Sequence, residues 1–311
     1  MAIRLPNFLI VGFPKCGSTS VHYYLSEHPE VFLPVQKELH YLSMHERAHQ
    51  REGKGDVEVK KLQVRDEEHY RKHFKDAGDV KMIGEASPSY INYPSVIDRI
   101  KSTLGQEVKI VILLRDPVKR AYSNYLHMVR ENREDRSFFE ALQLEEQRKK
   151  ANYSDFWYYL FNSTYLEKVR AYSEAFKEVK VVTFERFVKD PATGMKEIYQ
   201  FLGVDPDFEV PNLDTTYNPG GSYKKNLLTN FIFGQSKLKT FLRRILPMNA
   251  KMKKLRIGLI EQYQTETPDL DPKAEAYIVD KLKDEVAVLH DEFGVETELW
   301  NQGFRVKETA V

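Results

Sequence analysis

Cysteine is almost missing from this chain: its 311 residues include one, Cys16. A single thiol excludes an intrachain disulfide and fits a reducing compartment such as a bacterial cytosol. Net charge is nearly missing too. Lys and Arg number 47 against 46 Asp and Glu, a formal charge of +1, so no global field recruits nucleic acid and any anion selectivity is local. Long apolar runs are lacking as well. The stretch Phe8–Phe13 is too short to span a membrane, and without a small-residue cleavage site it does not read as a signal peptide. A cytoplasmic protein is expected, a reading compatible with a membrane anchor having been removed. The nine His are scattered; His45 and His49 stand at i, i+4 without a third ligand and read as surface residues, so no metal is expected.

What is present suits a packed α/β protein. Hydrophobic residues make up 41%, enough at this length to bury a large core. Short, β-branched runs apolar on both parities recur as FLIVG at 8–12, VKIVILL at 108–114 and VKVVTF at 179–184, the pattern of buried parallel strands. Helical patterns separate them: 19–28, stopping before Pro29; 94–104, closing on Gly105; 118–130 after a Pro; and 162–177. Asp190-Pro191 reads as an N-cap and first helical residue, and that helix ends at Gly203. Alternating strands and helices predict a P-loop-like parallel sheet flanked by helices. One domain is expected over 1–311, with its core at about 5–210 and a helical C-terminal region at about 211–300 that carries no comparable strands. The charged segment 45–75 reads as a surface excursion.

The stretch FLIVGFPKCGSTSVHYYL, residues 8–25, carries the first chemistry. In the pattern G-x-x-x-x-G-K-[ST], Gly12 and Gly17 have the right spacing and Thr19 supplies the hydroxyl. The lysine position holds Ser18 instead, and Lys15 sits three residues earlier, at the crest of the loop. Backbone N–H groups of Cys16, Gly17, Ser18, Thr19 and Ser20 can still cradle a phosphate at a helix N-terminus. A kinase would also want a strand ending in an acid for Mg²⁺. Here VILLRDP puts Arg115 ahead of Asp116, and the arginine suits a second phosphate better than a metal. The site therefore reads as one for a nucleotide with anionic groups at two ends. A phosphatase-type loop would carry Arg six residues after Cys16, where His22 stands, so Cys16 reads as a small loop residue.

With both motifs in view, the chain resembles the sulfotransferases that use 3′-phosphoadenosine 5′-phosphosulfate, in the style of the heparan sulfate branch and its bacterial relatives. FLIVGFPKCGSTSVHYYL resembles that family's 5′-phosphosulfate loop, and VILLRDPVKRAYSNYLH, residues 111–127, its 3′-phosphate motif RDPxxRxxSxY. The resemblance implies that Arg115 and Ser123 hold the 3′-phosphate and that Lys15 contacts the bridging oxygen and the transferring group. Arg120 also matches the motif, with a structural ion pair as the competing role, and Asp116 reads as a cap or an Arg partner. LPVQKELHYL, 33–42, resembles the segment bearing the family's catalytic base, which falls on Glu38; His40, on the same side if the segment is extended, supports it. GEASPSYI, 84–91, implies that Glu85 and Ser87 line the acceptor side, with Tyr90 packing there or contacting the acceptor. NPGGSYKKN, 218–226, is placed like the late loop that closes over the phosphates, which brings in Gly221, Ser222, Tyr223 and either Lys224 or Lys225.

The expected reaction is transfer of a sulfuryl group to a hydroxyl or amine, leaving 3′-phosphoadenosine 5′-phosphate. The acceptor class stays open among a glycan, a lipid and a carrier-bound small molecule. Between Asp214 and Glu261 no acid occurs while ten Lys or Arg do. The basic segment 224–256 is thus a candidate surface for an anionic partner, with a solvated face or a lid as alternatives. Two rival classes remain: a P-loop-like kinase or NTPase, disfavoured by Ser18 and Arg115, and a non-catalytic nucleotide- or glycan-binding module, which would not need Glu38. Oligomeric state is not legible.

Overall fold

The structure is a computed structural model that describes residues 3–211, 213, 222–223, 264–265 and 268–305. Its strands are β1 (Phe8–Ile10), β2 (Val31–Phe32), β3 (Met82–Ala86), β4 (Lys109–Leu114) and β5 (Val179–Thr183), followed by the short β6 (Ser222–Tyr223) and β7 (Gln264–Thr265). The helices are α1 (Ser18–Ser26), α2 (Asp56–Lys60), α3 (Glu67–Lys72), α4 (Ser95–Leu104), α5 (Pro117–Arg130), α6 (Phe138–Gln143), α7 (Glu145–Lys150), α8 (Leu166–Ala175), α9 (Phe184–Lys189), α10 (Pro191–Leu202) and α11 (Pro272–Phe293).

The first five strands form one parallel sheet in the order β2-β3-β1-β4-β5. Chain connections leave β1 on opposite sides, so a crevice opens beyond the carboxyl ends of β1 and β4, where ligands of open α/β sheets bind. Phe8, Leu9, Ile10 and the β4 residues Ile110–Ile112 are fully buried, as runs apolar on both parities require. Two strands escape the apolar-run signal. β2 has two residues, and β3 reads MIGEA, whose Gly and Glu break the pattern although all five positions are buried.

Helix ends follow local chemistry. Asp116 caps α5 by accepting from the N–H of Val118 (2.8 Å) and Lys119 (3.1 Å), ahead of Pro117. Asp190 does the same for α10 through the Thr193 N–H, and that helix stops at Gly203 with φ +78°. The expected helix over 162–177 is shorter, running from Leu166 to Ala175, because 161–163 forms a separate 3₁₀ turn. On α11 the residues Ala274, Ile278, Leu282, Val286 and Leu289 are buried at spacings of four and three, the stripe that seats this helix. The C-terminal region also contributes a strand pair, β6 with β7, antiparallel.

The segment 45–75 is not simply a surface excursion. Asp56 within it is buried and accepts from Gly53 N–H (3.0 Å), Ser154 N–H and Oγ (both 2.7 Å) and Trp157 Nε1 (3.1 Å), besides pairing with Arg133. The charged run hides one carboxylate that clamps it to the body.

Candidate active site

The crevice at the ends of β1 and β4 opens into a cleft of about 940 Å³. Its floor is the loop before α1. Gly12 lies flat against β4, where a Cβ would come within 2.0 Å of the Leu113 nitrogen. At the N-cap of α1, Gly17 has φ +89°, so the turn takes a left-handed residue without strain. No side chain caps α1 and no acid stands in its first turn. The first-turn N–H groups, with Thr19 and Ser20 beside them on the cleft wall, therefore form an anion cradle.

Three cations surround the cradle. Lys15, itself left-handed at φ +73°, is pushed down to about 7 by burial and by the Arg130 and Arg115 charges. Arg115 leaves the end of β4, stacks over the Phe184 ring at 4.6 Å and donates Nη1 to the Lys15 carbonyl at 3.1 Å; its Nε is buried without a partner. Lys37 reaches Ser18 Oγ at 3.1 Å. Cys16 sits under the loop, buried, its thiol pushed up to about 12 by burial, which suits packing and not nucleophilic attack.

The helix α5 supplies one wall. Lys119, Ser123, Leu126, His127 and Arg130 all line the cleft, at spacings that place them on one helical face. Ser123 thus shares the cavity with Arg115, as the motif predicts. Arg120 does not. It is fully buried and donates to the carbonyls of Tyr159 (2.6 Å) and Pro14 (3.4 Å), to Ser163 Oγ (2.6 Å) and to Asn124 Oδ1 (3.1 Å). Neither phosphate ligand nor ion pair, it braces the loop from behind. Asp116 is a cap, as one of its two readings had it.

Across the cleft stand Glu38 and His40. The expected extended segment is corrected: Glu38 has φ +63° and His40 φ +55°, two left-handed non-glycine residues with one between them. Both still line the cavity. Glu38 is pinned by its N–H to the Ala86 carbonyl (3.0 Å), at the end of β3. Desolvation inside the cleft pushes its carboxyl up, but the Lys37 ammonium, at 2.5 Å from Oε1, and His40 outweigh this and hold it well below the usual range. His40 is pushed down to about 4 by burial and the Arg47 charge, so at neutral pH it is an uncharged imidazole, Nδ1 against Ser89 Oγ at 2.7 Å and Nε2 facing Glu38 Oε2 at 3.8 Å.

Glu85, Ser87 and Tyr90 depart from the expectation that they line the acceptor side. All three are buried and off the cleft wall. Glu85 accepts from the hydroxyls of Tyr70 (2.9 Å), Tyr90 (2.9 Å) and Ser87 (2.5 Å), and burial pushes its carboxyl up to about 6. Ser87 Oγ in turn accepts the His40 N–H at 3.0 Å. The cluster supports the Glu38–His40 segment from behind. Pro88, Ser89 and Asn92 are the residues of this stretch that line the cleft.

Gly221, Lys224, Lys225 and the basic segment 224–256 lie outside the described residues; of the late loop, Ser222 and Tyr223 are described as backbone, paired with Thr265 and Gln264. Sequence reasoning passed over Lys37, Arg47, His127 and Arg130. Four-residue spacing from Ser123 pointed to His127, and one turn more to Arg130. Lys37 and Arg47 carried no such signal. Among the described residues no group of three or more His, Cys, Asp or Glu converges as metal ligands would. No helix among them is long and apolar enough to cross a membrane.

Similarity to known proteins extends over most of this chain. A sulfotransferase from Alicyclobacillus acidocaldarius of known crystal structure is 34% identical and superposes with a TM-score of 0.66, covering 82% of this chain and 97% of that one. The membrane-associated sulfotransferase kil1 of Dictyostelium discoideum is 36% identical over 124 residues, 39% of this chain and 22% of its own length. Mouse heparan sulfate glucosamine 3-O-sulfotransferase 3A1 is 28% identical over 203 residues, 65% of this chain and 46% of its own. The chain thus spans less than half the length of these two curated relatives. Residues 6–209 match the sequence profile of the sulfotransferase family, and they contain the cradle, both halves of the cleft and all five strands of the main sheet. The chain belongs to the sulfotransferase family.

Proposed function

We propose that this chain transfers a sulfuryl group from 3′-phosphoadenosine 5′-phosphosulfate to a hydroxyl or amine of an acceptor, with Glu38 as the base. One observation carries the reading: an uncapped helix N-terminus ringed by Lys15 and Arg115 faces a carboxylate, Glu38, across a single cleft. The residues fit such a donor. The α1 N–H groups and Lys15 take the 5′ end, while Arg115, whose buried Nε lacks a partner, and Ser123 take the 3′-phosphate.

In the reaction the acceptor oxygen or nitrogen forms a bond to sulfur as the bond from sulfur to the 5′-phosphate oxygen breaks. The electron pair leaves with the phosphate, and the acceptor proton goes to a Glu38 carboxylate oxygen. Lys15 and the helix terminus neutralise the charge that builds on the departing phosphate. Uncharged His40, anchored by Ser89, orients the Glu38 side without adding a second positive charge to the base. A hydroxyl acceptor on a glycan is supported by the 3-O-sulfotransferase among the relatives; lipid and carrier-bound acceptors share the same chemistry.

The test is calorimetric binding of 3′-phosphoadenosine 5′-phosphate, with ATP alongside and no magnesium. Wild type is expected to bind the bisphosphate and to prefer it to ATP, and Arg115→Ala to lose about tenfold or more, as removal of a charge-assisted pair implies. Glu38→Gln is expected not to weaken that binding and to lose about 10²–10⁴-fold in transfer from the phosphosulfate. A preference for ATP, or transfer undiminished in Glu38→Gln, would overturn the donor or the base respectively.

A further inference from the structure

Lys37 has no part in the chemistry above, yet its ammonium joins the two sides of the cleft. It sits 3.1 Å from Ser18 Oγ, on the first turn of α1, and 2.5 Å from Glu38 Oε1. Its side chain is 14% exposed and that of Glu38 47% exposed, so the carboxylate opens to the cleft while the cation lies beneath it. A charge-assisted bond this short occupies an oxygen that a base needs free. The other oxygen faces His40 Nε2 at 3.8 Å. Ser18, meanwhile, belongs to the uncapped turn, so an anion seated there competes for the same ammonium.

We infer that Lys37 is a switch between donor and base: the donor's 5′ anion draws its ammonium off Glu38 Oε1, so the carboxylate becomes free to accept a proton once the donor is in place. The inference rests on the sulfotransferase reading and adds to it a residue that orders the steps. A lysine suits the task, being a point charge with three donors on a flexible stem that can swing while the backbone stays fixed. The backbone here is fixed by the bond from Glu38 N–H to Ala86. The groups facing Glu38 are Lys37 and His40 from its own segment, Lys15 from the loop before α1 and His127 from α5. Burial holds both histidines toward their neutral forms, and among the described residues Lys37 is the cation that acts most strongly on the carboxylate. Lys15 stands at the crest of the cradle; Lys37 is the one bonded to the base.

A double-mutant cycle on binding of 3′-phosphoadenosine 5′-phosphate, read by calorimetry, tests this. If the ammonium must leave Glu38 to meet the anion, Glu38→Gln releases it in advance. The substitution is then expected to tighten binding about fivefold more in the presence of Lys37 than in Lys37→Met, a coupling that additive, independent sites do not give. Lys37→Arg, which keeps a cation on a long stem, is expected to retain the coupling. An equal effect of Glu38→Gln in both backgrounds, or unchanged affinity in Lys37→Met, would overturn the switch and leave the sulfotransferase reading standing. Wild type that fails to bind the bisphosphate would overturn both.

Discussion

At the scale of single residues, the proposed function gives Lys15 the task of letting a phosphate loop work with its lysine displaced. Three residues ahead of the usual position, it sits at the crest of the cradle, left-handed, with its amine pushed down to about 7 by burial and two arginines. An anion in the cradle restores its charge, so binding takes up a proton when the pH lies above that value. Affinity for the bisphosphate is therefore expected to fall as pH rises past 7, by up to about tenfold per unit, and to be flat over pH 7–8.5 in Lys15→Met. Calorimetry across that range checks it; the ligand's own phosphates, with a second pKa of about 6, are already ionised there. Folding follows the opposite trend. The unfolded lysine titrates near 10.5, so between 7 and 10.5 the unfolded chain holds more protons, and this residue's cost to stability fades as pH rises. Residue identity made Lys15, Arg115, Ser123 and Glu38 legible in advance, because motif spacing fixes which elements carry them. It could not say that Glu85, Ser87 and Tyr90 turn inward. Which face of a bend a side chain takes is decided by neighbours distant in sequence, here Tyr70.

At the scale of elements, the segment 45–75 shows how charge content misleads. Its polar composition fits a solvated excursion, but Arg47, Val59 and Leu62 line the cleft, and Asp56 holds the whole stretch to the Ser154–Trp157 turn. A single buried carboxylate in a charged run has no periodicity to announce it. The strands β2 and β3 were hidden for a related reason: two residues are too few to make a pattern, and the Glu85 carboxylate interrupts the other. By contrast, Asp190-Pro191…Gly203 was readable end to end, since caps act on the adjacent backbone. The clamp makes a prediction. Asp56→Ala leaves the Arg133 guanidinium buried with the Lys54 carbonyl and Glu131, at 4.0 Å, as remaining partners, orphans the Trp157 and Ser154 donors, and is expected to cost about 3–5 kcal/mol. Urea unfolding measures the cost, and limited proteolysis is expected to cut first within 45–75. An unchanged urea midpoint with no new cleavage would mean that the segment is held by its apolar contacts, Val64 above all.

At the scale of the whole molecule, the side of the cleft that carries Arg115 is wired to the C-terminal region. Trp300 is buried, donates Nε1 to Glu185 Oε2 at 3.0 Å and packs edge-on to Tyr165; Glu185 Oε1 accepts the Asp116 N–H at 3.1 Å, and the Tyr165 hydroxyl donates to the Arg115 carbonyl at 2.8 Å. Asn301 N–H adds a bond to Asp116 Oδ2 at 2.5 Å, and Glu285 on α11 accepts from the N–H groups of Tyr165 and Leu166. Residues 115 to 185 apart in sequence thus fix the strand end that carries Arg115, a dependence invisible to a reading made motif by motif. We propose that the α/β core and the C-terminal helix unfold as one unit. Trp300→Ala would then remove a buried ring and take the indole donor from Glu185 Oε2, at a cost of about 3–5 kcal/mol. With an unfolding entropy of about 2.1 cal/mol/K per residue, that is a fall in Tm of roughly 5–8 °C. Because the lost contacts join the two parts, calorimetry is expected to show the single transition moving intact, with affinity for the bisphosphate weakened through Arg115. A separate low-temperature transition, leaving the main one where it was, would instead mean that the helix docks on a core stable without it.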